Sequence, residues 1–309
     1  MIETLLPVLP VLLLFILGYV LKRISFFTPT SLGDVKKLVS KVTLPALVFN
    51  AFFTIEIEPR YLVLVLSVFL ICLAMVLIGR LVAKPLKITS GYFPLLLGGF
   101  EMGMFGYALF LSLYGQQHLG KMALADLGQV IFVFFVLMTL LLAQKGEATH
   151  FKALAKGFIT NPVIIAILVG LVGSGIKPYV SSNPLFETLG HLITMVGAIT
   201  TPLIAITIGY GMEIKTEGLA LTLKTIVVRR VFSLIFLLLL NEFIVTRLLG
   251  MDPMYRKAMM IMFLTPAPFV IALFMGQHNK DDLDYVSNML SLDTLVSLFA
   301  IIVAAAFFG

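Results

Sequence analysis

Apolar runs about as long as a bilayer is thick recur along this 309-residue chain, separated only by short polar gaps. Tyr61–Leu81 and Met122–Ala143 are examples. About 20 such residues in a helix cross a hydrocarbon core of about 30 Å. Runs of that length in close succession point to a polytopic all-α membrane protein whose surroundings are a lipid bilayer. Composition agrees: 60% of the residues are hydrophobic and 12% charged. Soluble globular chains carry about 45–50% apolar and about 25% charged residues. A soluble enzyme, a nucleic-acid partner and a disordered scaffold are excluded at this step.

Hydropathy divides the chain into ten expected spans, at 5–21, 38–55, 61–81, 93–113, 122–143, 161–176, 190–212, 225–249, 257–276 and 286–308. With the N-terminus outside, 16 of the 22 Lys and Arg residues fall in inner loops or at inner span ends, Lys22, Arg23, Lys36, Lys37 and Lys41 among them. That asymmetry predicts a multi-pass protein of the cell or inner membrane with both termini outside. The net charge of +6 reports this orientation rather than an acidic partner. Glu3 stands where a signal peptide carries basic residues, so the first span reads as a retained helix. Cys72 is the sole cysteine, which rules out an intrachain disulfide.

The chain also repeats itself. Val42-Thr43-Leu44-Pro45 leads to Glu56, and Ile199-Thr200-Thr201-Pro202 leads to Glu213. The prolines and the glutamates are both 157 positions apart (202 − 45 and 213 − 56). The same offset pairs Leu32-Gly33 with Leu189-Gly190, and Gly18 with Gly175. Further on, Ala108-Leu109-Phe110 matches Ala272-Leu273-Phe274, and Asp126 matches Asp293, with the register shifted by several residues. Residues 1–143 therefore read as a first five-helix repeat and 161–309 as a second. Five is odd, so the copies are inserted with opposite topology. Inverted repeats of this kind build secondary transporters, with the site at the midplane.

Two spans carry helix breakers at corresponding places. Span four reads Gly98-Gly99-Phe100-Glu101-Met102-Gly103-Met104-Phe105-Gly106, and span nine reads Thr265-Pro266-Ala267-Pro268. Irregular backbone at membrane depth survives only next to protein or a water-filled cavity. A matched pair of interrupted spans is the best sequence pointer to a transport site. Small residues that merely allow close helix packing are the competing explanation.

The run Gly99–Leu109 with Tyr114-Gly115 resembles the fourth-span motif of the auxin efflux carrier family. Val42–Leu47, Asn161-Pro162-Val163-Ile164 and Pro268–Ala272 resemble further segments of that family. The resemblance covers nearly the whole chain. It implies ten helices in two inverted repeats, with broken helices four and nine crossing near Met102–Met104 and Pro266–Pro268. That arrangement is like that of bile acid/sodium symporters and Na+/H+ antiporters. It also implies a scaffold of helices 5–21, 38–55, 161–176 and 190–212, a mobile transport part at 61–143 and 225–308, and a homodimer. Members without a large central loop are often assigned to malate or malonate. Glu101 stands at the family's asparagine position and Ala108 at its proline position. An acid at the crossover would repel an anionic substrate unless protonated.

Candidate residues follow. Glu101 is an ionisable group inside a span and hence a functional candidate by default, here as a proton carrier. The substrate-binding set is Asn50, Glu101, Met102, Gly103, Met104, Thr207, Thr265, Pro266 and Pro268. Asn50 shares a face with Thr54, and Thr207 with Tyr210; these residues either line a path or bond between helices. Asp126, near Gln129, and Asp293, near Ser297, join Glu101 as ion-coupling candidates for H+ or Na+. Arg229 and Arg230 are expected to snorkel at the inner surface, Glu242 to pair with a basic residue, and Glu56 and Glu213 to be solvated. His118, His150, His191 and His278 share no metal-ligand spacing, so neither a metal nor a cofactor is expected.

The function expected is secondary active transport of a small organic anion such as a dicarboxylate, by an elevator-like motion, proton-coupled through Glu101. The alternative is a Na+-coupled or uniport carrier of a zwitterion or other small solute. An intramembrane enzyme would need His-Glu-x-x-His, Gly-x-Ser-x-Gly or Gly-x-Gly-Asp, none of which occurs.

Overall fold

The computed structural model describes residues 9–55, 58–146, 151–180, 184–212, 218–275 and 280–308. They form helices α1 (Leu9–Arg23), α2 (Pro29–Leu38), α3 (Leu44–Phe53), α4 (Tyr61–Ala83), α5 (Phe93–Leu97), α6 (Tyr107–Tyr114), α7 (Leu119–Phe132) and α8 (Met138–Gln144). After them come α9 (Phe151–Ile159), α10 (Pro162–Val180), α11 (Pro184–Ala198), α12 (Thr200–Gly211), α13 (Leu219–Leu239), α14 (Pro253–Leu264), α15 (Val270–Phe274) and α16 (Lys280–Phe308). Wider π-helical turns occur at Val39–Thr43, Met102–Gly106, Val133–Leu137 and Leu240–Leu248. No strand occurs among the described residues.

Five helices among the described residues are long and apolar enough to cross a membrane: Tyr61–Ala83, Phe93–Tyr114, Gln116–Gln144, Pro184–Gly211 and Lys280–Phe307. A sixth arises if Lys152–Ile159 and Pro162–Ile176, which meet at 61°, make one span. Asn161 shapes that corner by accepting the Val163 N–H at 2.8 Å on its side chain, a standard N-cap just before a proline. The other apolar runs are shorter, interrupted or, in α13, broken by Lys224, Arg229 and Arg230.

The chain divides into two compact units, Met1–Pro59 with Gly103–Leu124 and Lys156–Met212, and Arg60–Met102 with Ala125–Ala155 and Glu213–Gly309. In the first unit α1 meets α12 backbone to backbone. A Cβ on Gly18 would stand 2.2 Å from the Ile206 carbonyl oxygen, and one on Gly209 would stand 2.0 Å from that of Phe15. Lipid tails are as apolar as leucine, so helices in a bilayer associate through close packing, which glycine permits.

In the second unit α4 shows how an all-apolar helix is sorted. Leu64, Val68, Cys72 and Met75, three or four positions apart, form one buried stripe. Leu62 and Leu81 on other faces are 72% and 75% exposed, which suits hydrocarbon and not water. Gly79 lets α5 approach until a Cβ there would lie 2.7 Å from the Pro94 Cα. Arg229, Asn288, Asp293 and Ser297 are by contrast fully buried. Polar groups inside and leucines outside is the distribution that a bilayer selects.

Candidate functional site

Both interrupted runs lie open within the second unit. After α5, Gly98 is extended (φ −85°, ψ 138°) and Gly99 takes φ +78°, a conformation that costs an L-residue with a side chain but not glycine. A Cβ on Gly99 would also press to 2.9 Å from the Pro268 ring. After α14, Thr265 is extended (φ −69°, ψ 159°) and turns its hydroxyl back onto the Met262 carbonyl at 2.7 Å. Pro266 and Pro268 then withhold the N–H groups that would continue the helix. The break in the fourth run thus centres on residues 98–101. Met102–Met104, where the crossing was expected, begin a π-helical turn, because the glycine forced to positive φ is Gly99 and not Gly103.

The two open segments bond to each other. The Glu101 N–H donates to the Pro266 carbonyl at 2.9 Å, and the Phe269 N–H donates to Glu101 Oε2 at 2.7 Å. One residue therefore serves both strands of the crossing.

Interrupting two helices frees backbone groups that hydrocarbon cannot satisfy, and charged side chains take them. Arg229 Nη1 donates to the Leu96 and Leu97 carbonyls at 2.9 and 2.7 Å, and its Nη2 to Gly99 at 2.7 Å and Thr265 at 3.4 Å. Arg230 Nη1 donates to the Leu264 carbonyl at 2.7 Å. On the donor side, the Ala267 N–H reaches Asp293 Oδ2 at 3.1 Å. Asp293 also faces Arg229 Nε at 3.3 Å and binds Arg230 Nη2 through Oδ1. Ser297 receives the Arg230 Nη2 hydrogen as well. The Phe100 ring lies 5.3 Å from the Arg229 guanidinium and stacks near Phe263 at 4.7 Å.

Arg229 and Arg230 therefore do not snorkel to an inner surface. Arg229 is wholly buried and the Arg230 side chain is 12% exposed. A basic pair four residues into a span resembles a surface anchor by charge rules. The signal to its real role was Asp293, an acid within a span, which calls for a partner in the bundle. The face shared by Asp293 and Ser297 is real, since both bind Arg230.

Asp126 and Gln129 are both 5% exposed, and the Gln129 amide donates to Asp126 Oδ1 at 3.0 Å. Gln129 Oε1 has no hydrogen-bond partner among the described residues and would lie 3.6 Å from a Cβ on Gly99. Met102 is buried. In the first unit Gly103 and Met104 are half-buried. Asn50 donates to the Thr194 hydroxyl at 3.1 Å, a bond between α3 and α11. Thr54 and the buried Thr207 turn their hydroxyls onto carbonyls of their own helices, and Tyr210 reaches the Phe27 carbonyl. Of the two readings open for these residues, the bonds seen are of the packing kind. Glu242 pairs with Arg247 at 2.8 Å on an exposed face. Glu56, Glu213, His150 and His278 lie outside the described residues. Among the described residues no group of three His, Cys, Asp or Glu side chains is placed to hold a metal.

The family model described as membrane transport protein matches residues 4–305. No curated protein matches the chain.

Proposed function

Since the chain belongs to the membrane transport protein family, that of the auxin efflux carriers, and is thus an integral membrane transporter, we propose that it is a secondary carrier of a small organic anion coupled to protons through Glu101. The observation that carries this reading is the 2.7 Å bond from the Phe269 N–H to Glu101 Oε2. That amide is a natural seat for a substrate carboxylate, and the chain's own carboxylate occupies it. Protonating Glu101 weakens its hold on the amide and removes the charge that would repel an anion. The substrate then takes the vacated donor, and proton and anion are carried together. Glu101 suits the exchange better than Asp293, being 8% rather than 0% exposed and holding no printed arginine contact.

The wider proposal has ten spans in two inverted five-helix repeats, with both termini outside. It divides the chain into a dimeric scaffold (helices 5–21, 38–55, 161–176 and 190–212) and a transport part (61–143 and 225–308) that moves as an elevator. The two compact units follow much of that division but assign 103–124 to the unit that holds the scaffold helices. Met102, Thr265, Pro266 and Pro268 join Glu101 as the crossing residues proposed to meet substrate, and Asp126 remains a second proton site in the proposal.

Counterflow of radiolabelled malate and malonate in proteoliposomes tests this reading. Wild type is expected to show saturable counterflow that rises as external pH falls. Glu101→Gln keeps the neutral form, so it should exchange substrate but lose the pH dependence and the capacity to concentrate it. Wild-type behaviour of that variant from pH 5 to 8 rules out the proton role. A second reading follows from the acid itself: Glu101 could hold the amine of a zwitterion. Loss of binding in Glu101→Gln selects that reading.

A further inference from the structure

We infer that the guanidinium groups of Arg229 and Arg230 occupy the place of a coupling cation at the crossing, so that no Na+ binds there. The inference rests on the carrier reading, for only a carrier has a coupling ion to replace. In transporters built on broken helices, the carbonyls at half-helix ends and in unwound backbone are the ligands that hold an alkali cation. The chain has such a set: Leu96, Leu97 and Gly99 after α5, Leu264 and Thr265 after α14, and the carboxylate of Asp293. Every one of these oxygen-bearing groups accepts from one of the two arginines or faces it as an ion pair.

The choice of arginine matters. A guanidinium presents five N–H donors in a fixed plane and stays charged at any physiological pH. It can therefore satisfy several carbonyls in different directions, as one spherical ion does, but it cannot leave. Arg229 has no route to water, being fully buried and roofed by Phe100. The C-terminal ends of α5 and α14 carry partial negative charge, which a cation offsets. The positive charge that other designs borrow from solution is here built into α13. Of the ions considered at this crossing, only the proton on Glu101 remains to couple transport.

The test uses Na+ itself on the full-length protein and needs no knowledge of the substrate. Thermal unfolding in detergent is measured in NaCl, KCl and choline chloride at one ionic strength, and radioactive Na+ binding is measured by scintillation proximity. Wild type is expected to unfold at the same temperature in all three salts and to bind no Na+ saturably. Saturable, Na+-specific binding or stabilisation of wild type overturns the inference, and this arm decides whether or not any variant folds. Arg230→Gln uncovers the Leu264 carbonyl and one Asp293 oxygen. It is expected to gain a rise of a few degrees in Na+ over choline, and Arg230→Lys to remain indifferent. A folded Arg230→Gln that is blind to Na+ overturns the claim that the arginine stands in for a cation. Absence of malate counterflow would sink the anion reading while leaving these ion measurements intact.

Discussion

Asp293 Oδ2 and Arg229 Nε lie 3.3 Å apart with both side chains wholly shielded. The same carboxylate binds Arg230 and caps the Ala267 N–H, so α13, α16 and the segment after α14 meet at one acid.

Removing that acid should unfold the second unit. Asp293→Ala leaves two guanidiniums and an amide without their anion. Breaking a buried pair from one side costs about 3–5 kcal/mol. The expected result is a large fall in thermal midpoint and aggregation on size exclusion, with Asp293→Asn milder because its carbonyl oxygen still accepts.

Gly99→Ala is a test of the break itself. The alanine would be strained at φ +78° and its Cβ would meet the Pro268 ring at 2.9 Å. A cost of about 1–3 kcal/mol is expected for the backbone alone. Transport should fall more than stability, since the segment that carries Glu101 must shift. Unaltered flux with an unaltered unfolding temperature would show that the segment relaxes freely.

Two glycines paired by the internal repeat should behave oppositely. Gly18 meets the Ile206 carbonyl, whereas a Cβ on Gly175 would find open space. Gly18→Ala forces α1 off α12 and should destabilise the first unit. Gly175→Ala should be neutral or stabilising by about 0.5–1 kcal/mol, as for a glycine inside a helix. Thermal unfolding of the two variants side by side gives the comparison.

Asn50→Ala removes the bond to Thr194 between α3 and α11. A loss of about 0.5–1.5 kcal/mol is expected, the ordinary worth of one such bond. The KM for malate or malonate should not move. A raised KM at unchanged stability would instead place Asn50 on the substrate path.

The helical class was legible because period and length act locally: twenty apolar residues such as Tyr61–Leu81 admit few other structures in lipid. The two interruptions were legible for the same reason, since glycine and proline act on their own backbone. Their centre was less so. Gly98, Gly99, Gly103 and Gly106 look alike in sequence, and only the nearness of Pro268 and the turn at φ +78° single out Gly99. The arginines were misplaced because a charge near a span end has two stable fates, water or a buried acid. The partner that decides between them lies on another helix and leaves no trace beside Arg229 in the sequence.

The composition of this crossing has an electrical consequence. Two guanidiniums and two ionised carboxylates, Arg229, Arg230, Asp293 and Glu101, sum to zero. Displacing a net elementary charge across a membrane involves about 2.3 kcal/mol per 100 mV. For these four groups moving as one body that work vanishes, and the resting voltage neither drives nor opposes the empty return. A proton on Glu101 together with a monovalent anion sums to zero as well. Such a cycle runs on the proton's concentration difference and is indifferent to the membrane's battery, whereas a divalent cargo would make the loaded step voltage-sensing.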